Sequence, residues 1–270
     1  MIPKIIHYCW FGRNPLTEDV LRCINSWKKY MPEYKIIQWN ETNFNINCCP
    51  YIQEAYAAHK WAFVSDYARF WIISNYGGVY FDTDVELIKS IDDIVSKGPF
   101  LGTEYSDTGI SIAVNPGLGM ADSAGSVFCT HMLNQYNSDH FLLHDGTFNP
   151  INVVTRSTNL IRSYGWKMND EFQIINGIQI FPIEYFCPLN YLTGVLLITP
   201  KTRSIHHYKA SWLSKGSQGI HSLEQIFRRL LGFRFGTVAA KPFVVSYRFI
   251  ERLKTLGIKK AFIYYISKRG

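Results

Sequence analysis

The junction Tyr76-Gly77-Gly78-Val79-Tyr80-Phe81-Asp82-Thr83-Asp84 restricts the fold more than any other part of the chain. A helical stretch stops at a glycine pair, an apolar strand begins at once, and that strand runs into two carboxylates one residue apart. Upstream, Ala62, Ser65, Asp66 and Arg69 fall at three- and four-residue spacing, on one side of a helix predicted over Tyr51 to Asn75. Alternation along the strand turns Tyr80, Asp82 and Asp84 toward the same side. A helix feeding a strand whose end carries charge is the unit from which an α/β sheet and its site are built.

The N-terminal segment supplies the same unit again. Ile2 to Trp10 reads as a strand closed by Phe11-Gly12-Arg13-Asn14-Pro15, and Thr17 caps a helix with Glu18 and Asp19 in its first turn. Val20, Leu21, Ile24 and Trp27 form its apolar face, Pro32 stops it, and Tyr34 to Trp39 is a second strand. Strand, helix, strand in that order opens a parallel sheet. Further strands are predicted at Pro99 to Glu104 and Ile110 to Val114, with a helix over Gly125 to Tyr136. Residues 137 to 200 read as loops with short strands at Ile174-Ile175, Ile178 to Phe181 and Val195 to Ile198. Ser204 to Tyr208 is a last strand-like piece, and after Gly219 the chain is helical and basic.

Composition excludes several classes. Apolar residues make up 47% and charged residues 18% of the 270, a balance that buries a core and is not that of a disordered chain. No apolar run reaches the ~18 residues that span a bilayer. The start of the chain lacks a signal-peptide pattern, which points to a cytoplasmic protein. Six cysteines without paired CxxC spacing match neither a zinc site nor a disulfide scaffold and read as buried thiols. Residues 1 to 200 hold 13 Lys+Arg against 19 Asp+Glu, whereas residues 201 to 270 hold 15 against 2. So basic an end expects an anionic surface; no nucleic-acid recognition motif accompanies it, which favours a membrane and excludes nucleic acid as partner.

Asp82 and Asp84 offer hard oxygen ligands to Mn²⁺ or Mg²⁺ shared with a substrate phosphate; a solvated strand end is the alternative. Asp66 and Arg69 lie among Trp61, Phe63, Phe70 and Trp71 and need partners there, in a site or as a structural ion pair. Two other functions share the pattern. Phe81-Asp82-Thr83-Asp84-Val85 satisfies the strand motif of haloacid-dehalogenase-like phosphatases, with Asp82 as nucleophile and Lys167 and Asp170-Glu171 as its later partners. A non-catalytic module holding calcium or sugar at the same carboxylates is the third reading.

The blocks Trp61 to Arg69 and Tyr76 to Asp84 resemble the sugar-binding region of DXD-containing glycosyltransferases of family 32. Ile2 to Gly12, Ser26 to Tyr30 and Ser204-Ile205-His206-His207-Tyr208-Lys209-Ala210-Ser211-Trp212 resemble bacterial capsular-polysaccharide members. The resemblance implies a GT-A fold, an α/β nucleotide-sugar-binding sandwich with a mostly parallel sheet. It covers residues 1 to about 213; the catalytic domain is expected over 1–219, and the charge and helical spacing of 220–270 read as a basic amphipathic segment on the membrane surface. It implies catalytic roles for Asp66, Arg69, Asp82 and Asp84, and donor contacts from Trp10, Ser65, Asp66, Arg69, Tyr80, Asp82, Asn115, Ser211 and Trp212. Trp10 would lie by the base, and Ser211 and Trp212 over the diphosphate. Asp84 and Asp82 would serve a Mn²⁺ or Mg²⁺ ion with His206 or His207, of which His206 matches better. Ala113 to Gly117 departs from the Asn-Thr-Gly run of capsular members, at the donor-sugar pocket. The implied reaction is retaining transfer of a hexose, from a UDP-hexose, to a lipid-linked oligosaccharide at the inner face of the plasma membrane. His7, inside the first strand, is expected to bond a neighbour and take no part.

Overall fold

The computed structural model describes residues 1–106, 109, 111–208 and 215–267. The chain divides into two units, Met1–Asn190 with Leu196–Trp212, and Tyr191–Val195 with Leu213–Gly270.

The first unit opens with β1 (Ile5–Cys9), α1 (Glu18–Tyr30) and β2 (Lys35–Trp39). Thr17 Oγ1 accepts from the Val20 amide, Glu18 and Asp19 sit at the positive end of α1, and Lys28 and Lys29 at the other. The helix packs Val20, Cys23, Ile24 and Trp27 inward. Next come α2 (Pro50–Ala57), α3 (Trp61–Tyr76), β3 (Gly78–Tyr80) and β4 (Val85–Leu87). The single helix expected over Tyr51 to Asn75 is two, because His59 takes a left-handed φ of 56° that ends α2. Gly77, with a φ of 64°, stops α3 as expected.

The elements α4 (Asp92–Val95), β5 (Phe100–Tyr105), β6 (Ile112–Asp122), α5 (Val127–Asn137), α6 (Val153–Ser163), β7 (Gln173–Ile175), β8 (Ile178–Phe181), α7 (Ile183–Phe186) and β9 (Ser204–His206) complete this unit. β6 runs eight residues beyond the expected end at Val114. It absorbs Pro116 in a bulge, where pairing with β5 jumps from Gly102↔Asn115 to Leu101↔Met120. Helix α6 replaces an expected loop; Asn152 Oδ1 caps it through the Thr155 amide, and Val153, Ser157 and Ile161 line its buried side. Val195 to Ile198, expected as a strand, make one isolated bridge, Leu189↔Leu196.

Seven strands form one sheet in the order β2-β1-β3-β6-β5-β8-β7. Pairing is parallel for β1 with β2, β1 with β3, and β5 with β8, and antiparallel at β6 and β7, so five strands point one way. The sheet is mixed and mostly parallel, as expected. Alternate residues feed two cores, one per face. Tyr80, Leu101 and Cys9 join the core under α2, α3, α5 and α6, and Val79, Phe81, Phe100 and Ile6 join the core under α1 and α4. From β1 the chain moves to one side for β2 and to the other for β3. That reversal leaves a crevice beyond the carboxyl ends of β1 and β3, the place where open α/β sheets bind ligands. Trp10 and the DxD turn follow those two ends.

The second unit is the helix α8 (Lys215–Ser267) with the loop Tyr191–Val195. Among the described residues no helix is long and apolar enough to cross a membrane. All six cysteines are free and all but Cys48 are buried.

Candidate active site

Two polar clusters meet at the crevice, one for each aspartate of the DxD turn. In the first, Arg69 of α3 reaches both Asp66 (2.8 Å) and Asp82 (3.1 Å) through the same nitrogen, Nη2. Its Nε donates to the Ser65 carbonyl at 3.2 Å, and its guanidinium lies 5.0 Å from the centre of the Tyr80 ring. The Tyr80 hydroxyl donates to Asp82 at 3.1 Å. Three charged groups in a buried space need such pairing. Burial pushes the Asp66 carboxyl up to about 7, with Asp82 adding to the rise and Arg69 and Arg156 opposing it. Among the described residues Arg69 Nη1 is buried without a partner.

In the second cluster, His206 Nε2 stands 3.0 Å from Asp84 Oδ1. The antiparallel pairing of β4 with β9 puts His206 opposite Val85 and fixes this approach. Helix α1 holds β4 in place, because Trp27 Nε1 donates to the Val85 carbonyl (2.8 Å) and Ser26 Oγ accepts from the Leu87 amide (2.9 Å). Burial disfavours a charged imidazole here, yet the Asp84 charge and hydrogen bond, with smaller help from Asp82 and Glu104, raise His206 to about 9. Its Nδ1 is buried and has no partner among the described residues.

A strand that ends at Tyr80 explains the split. The chain turns at Asp82, whose carbonyl accepts from the Val85 amide at 3.1 Å, so Asp82 and Asp84 do not simply alternate. The expected common side for Tyr80, Asp82 and Asp84 therefore holds for Tyr80 and Asp82, while Asp84 turns to β9. His207, expected as an alternative ligand, bonds Glu86 at 2.7 Å, because consecutive residues along β9 face opposite ways. Ser65, expected at the donor, bonds its hydroxyl to the Trp61 carbonyl at 3.1 Å and serves the site through its own carbonyl. Ser211 and Trp212 lie outside the described residues.

Asn115 spends both ends of its amide inside the protein. Its Nδ2 donates to Glu104 (2.9 Å) and its Oδ1 accepts from the Gly117 amide (2.7 Å). The Gly117 carbonyl in turn accepts from the Asp82 amide at 3.0 Å. A Cβ on Gly117 would stand 2.0 Å from Asp82 Oδ2, so the bulge of β6 admits only glycine while Asp82 keeps its place. Glu104 also accepts from the Tyr208 hydroxyl at 2.6 Å, and the Tyr208 ring meets His206 edge-on at 4.2 Å. Glu104 escaped the sequence reading, as did the part Gly117 plays in seating Asp82; Pro116-Gly117 inside a strand is the one local signal of a bulge. Trp10 borders an open cleft of about 480 Å³ with Arg13, Asn14, Gln38, Asn40, Glu41 and Thr42, beyond the ends of β1 and β2. His7 is structural as expected. Its Nδ1 accepts from Trp39 Nε1 at 3.0 Å, so Nε2 carries the proton and donates to the Gly77 carbonyl at 2.9 Å.

Residues 17–101 match the family model described as a glycosyltransferase sugar-binding region containing DXD motif. The match takes in α1, the Asp66/Arg69 helix and the DxD turn, and leaves Trp10 and His206 outside it. Inositol phosphoceramide mannosyltransferase 1 of Schizosaccharomyces pombe is 29% identical over 111 residues, 37% of this chain and 33% of that protein. Mannosyl phosphorylinositol ceramide synthase CSH1 of Saccharomyces cerevisiae is 27% identical over 115 residues, 41% of this chain and 30% of that one. The chain thus spans about a third of the length of the curated relatives it matches. These relatives are fungal mannosyltransferases and do not single out the capsular branch that the sequence resembles. Among solved structures, PaToxG glycosyltransferase has a TM-score of 0.45 at 18% identity, covering 60% of this chain and 69% of that one. A glycosyltransferase involved in the glycosylation of the major capsid of PBCV-1 has a TM-score of 0.46 at 13% identity, covering 77% and 95%.

DXD glycosyltransferases commonly use a divalent metal. Among the described residues no three His, Cys, Asp or Glu side chains gather to hold an ion. What the site offers is one carboxylate and one imidazole, 3.0 Å apart. Two protein ligands with the remainder left to substrate phosphate and water fit Mg²⁺ or Mn²⁺, and the imidazole favours Mn²⁺.

Proposed function

We propose that the chain is a metal-dependent glycosyltransferase that moves a hexose from a nucleoside diphosphate sugar to a hydroxyl of a lipid-borne acceptor. The observation that carries it is the split of the DxD turn at a sheet's switch point. Among the described residues it leaves two buried nitrogens without partners, Arg69 Nη1 on the Asp82 side and His206 Nδ1 on the imidazole paired with Asp84. Asp84 and His206 would hold the ion, which when bound offsets the charge developing on the leaving diphosphate. Arg69, fixed by Asp66 and Asp82, presents a fixed positive edge to donor hydroxyls or phosphate. Asp66, with its raised pKa, serves as an adjustable hydrogen-bond partner for a sugar hydroxyl, and Trp10 lines the cleft for the base.

Transfer proceeds with retention. The acceptor oxygen bonds to the anomeric carbon on the face that the diphosphate leaves, and the acceptor proton passes to the departing phosphate oxygen. The Glu104 carboxylate is already engaged with Asn115 and Tyr208, which supports same-face attack over a covalent sugar on a carboxylate. The phosphatase alternative loses support, because Asp82 is tied to Arg69 and Asp170 accepts from the Ile183 amide.

The names of the fungal relatives point to a mannosyl group, which adds GDP-mannose to the UDP-hexoses as a donor to test, and their ceramide acceptors support an acceptor hydroxyl on a lipid. We place the enzyme at the cytoplasmic face of the plasma membrane, held by its basic end, in the synthesis of surface polysaccharide. Nucleoside diphosphate release from a panel of UDP-hexoses and GDP-mannose, with Mn²⁺ and with EDTA, tests the reading. Release with at least one donor that EDTA abolishes is expected; no release from any donor would overturn it.

A further inference from the structure

Helix α8 does not run straight. Along a straight α-helix residues 227 and 243 stand about 24 Å apart, yet the rings of Phe227 and Phe243 stack with centroids 5.7 Å apart. Arg228 Nε donates to Thr237 Oγ1 at 3.1 Å, across nine residues. A Cβ on Gly236 would stand 2.5 Å from the Arg228 backbone, so the two arms touch. Gly232, with a φ of 74°, supplies the left-handed step that reverses the chain. The segment is a helical hairpin, and its second arm buries Ala240 and Val244, at four-residue spacing from Gly236. The first arm carries the loop Tyr191–Val195 of the same unit. Tyr191 stacks on His221 at 4.0 Å, and Arg228 and Arg229 donate to the carbonyls of Leu192 and Thr193.

The tip of this hairpin is apolar and bare. Leu230 is 75% exposed, Leu231 50% and Phe235 76%, and Arg229 and Arg234, also exposed, flank them. Scattered apolar side chains on a surface are ordinary, but three large ones gathered at a bend imply a partner that covers them. The charge around them says which. No Asp or Glu occurs from Gln225 to Ile250, while Arg229, Arg234 and Lys241 are exposed; Arg228 is turned inward, to Thr237 and Glu224. Apolar side chains ahead of a collar of arginines match a bilayer boundary, with acyl chains within and anionic headgroups around.

We propose that residues 230–235 are a wedge that inserts into the headgroup layer of an anionic membrane. It deepens the surface association proposed above and rests on that reading for its purpose. It also narrows the contact, from the whole basic amphipathic segment to the bend between its two arms.

The full-length chain should co-sediment with phosphatidylglycerol/phosphatidylcholine vesicles and not with phosphatidylcholine alone. The exposed triple change Leu230→Asn/Leu231→Asn/Phe235→Asn should lower that partition at least tenfold without slowing donor hydrolysis in solution. Phe235→Trp should be quenched by brominated acyl chains beyond the wild-type background. Unchanged partition of the triple variant would overturn the wedge, as would absence of added quenching. A doubled mass in light scattering without lipid, lost in the triple variant, would assign the tip to a second copy and overturn it too. Vesicle binding without turnover on any donor leaves the wedge standing and removes only the transferase reading.

Discussion

Asp82 and Asp84 differ in what holds them. Asp82 is locked to a guanidinium that does not lose its proton, with Tyr80 as a second donor and Gly117 pressed against its other oxygen. Asp84 faces an imidazole, a group that exchanges a proton for a metal. Two identical residues two positions apart are therefore held differently: the first is fixed to a permanent cation and the second is paired with an ionisable imidazole. The difference comes from the end of β3 at Tyr80 and the anchoring of β4 to α1 and β9.

The largest expected effect follows from removing the exchangeable side. Asp84→Asn should lower transfer at saturating Mn²⁺ by at least about 10³-fold, measured as nucleoside diphosphate release, with the fold intact by circular dichroism. On the locked side, Arg69→Ala leaves the buried Asp66 and the half-buried Asp82 without their cation. Urea unfolding should show a loss of about 3–5 kcal/mol, and Arg69→Lys should not restore activity, because one ammonium cannot reach as a planar fork does. Gly117→Ala drives a methyl group into Asp82 Oδ2. It should cost about 1–3 kcal/mol by overpacking and slow turnover while Mn²⁺ binding persists; equal loss of Mn²⁺ would mean the two sides are not separate.

His7 is the control for His206, since its partners are neutral. Burial lowers its pKa to about 4 against 6.5 when unfolded, so the unfolded state takes up the proton first. The stability it contributes is whole above pH 6.5 and is lost as pH falls toward 4. Between pH 8 and pH 5 this group alone should remove about 2 kcal/mol. His7→Gln, which can donate to Gly77 and accept from Trp39 without titrating, should flatten that part of the pH profile of unfolding. His206, raised to about 9, carries the opposite sign: its contribution is full below pH 6.5 and fades as pH rises through 9.

Much of the frame was legible locally. The cap at Thr17, the stop at Gly77 and most of the apolar face of α1 are set by short-range spacing, and the structure keeps them; Leu21, expected on that face, is exposed, and Cys23 is buried in its stead. The break at His59 was not legible, because a left-handed histidine carries no composition signal. Helix α6 was hidden by its Ser, Thr and Asn content, although Asn152 is a good cap. The site residues on contiguous blocks, Asp66, Arg69, Tyr80, Asp82 and Asp84, were readable. Glu104 and Gly117 were not, since their roles arise from strand pairing and a bulge that bring distant residues together. The hairpin at Gly232 was missed for a similar reason: only contacts across the bend reveal it.

The split of the DxD turn is tested most directly by electron paramagnetic resonance of Mn²⁺ titrated into the protein with a saturating nucleoside diphosphate. Wild type and Asp82→Asn should both remove the free-ion signal at stoichiometric protein, whereas Asp84→Asn and His206→Gln should leave most of it. Loss of Mn²⁺ by Asp82→Asn as complete as by Asp84→Asn would contradict the division of the two aspartates between cation and metal.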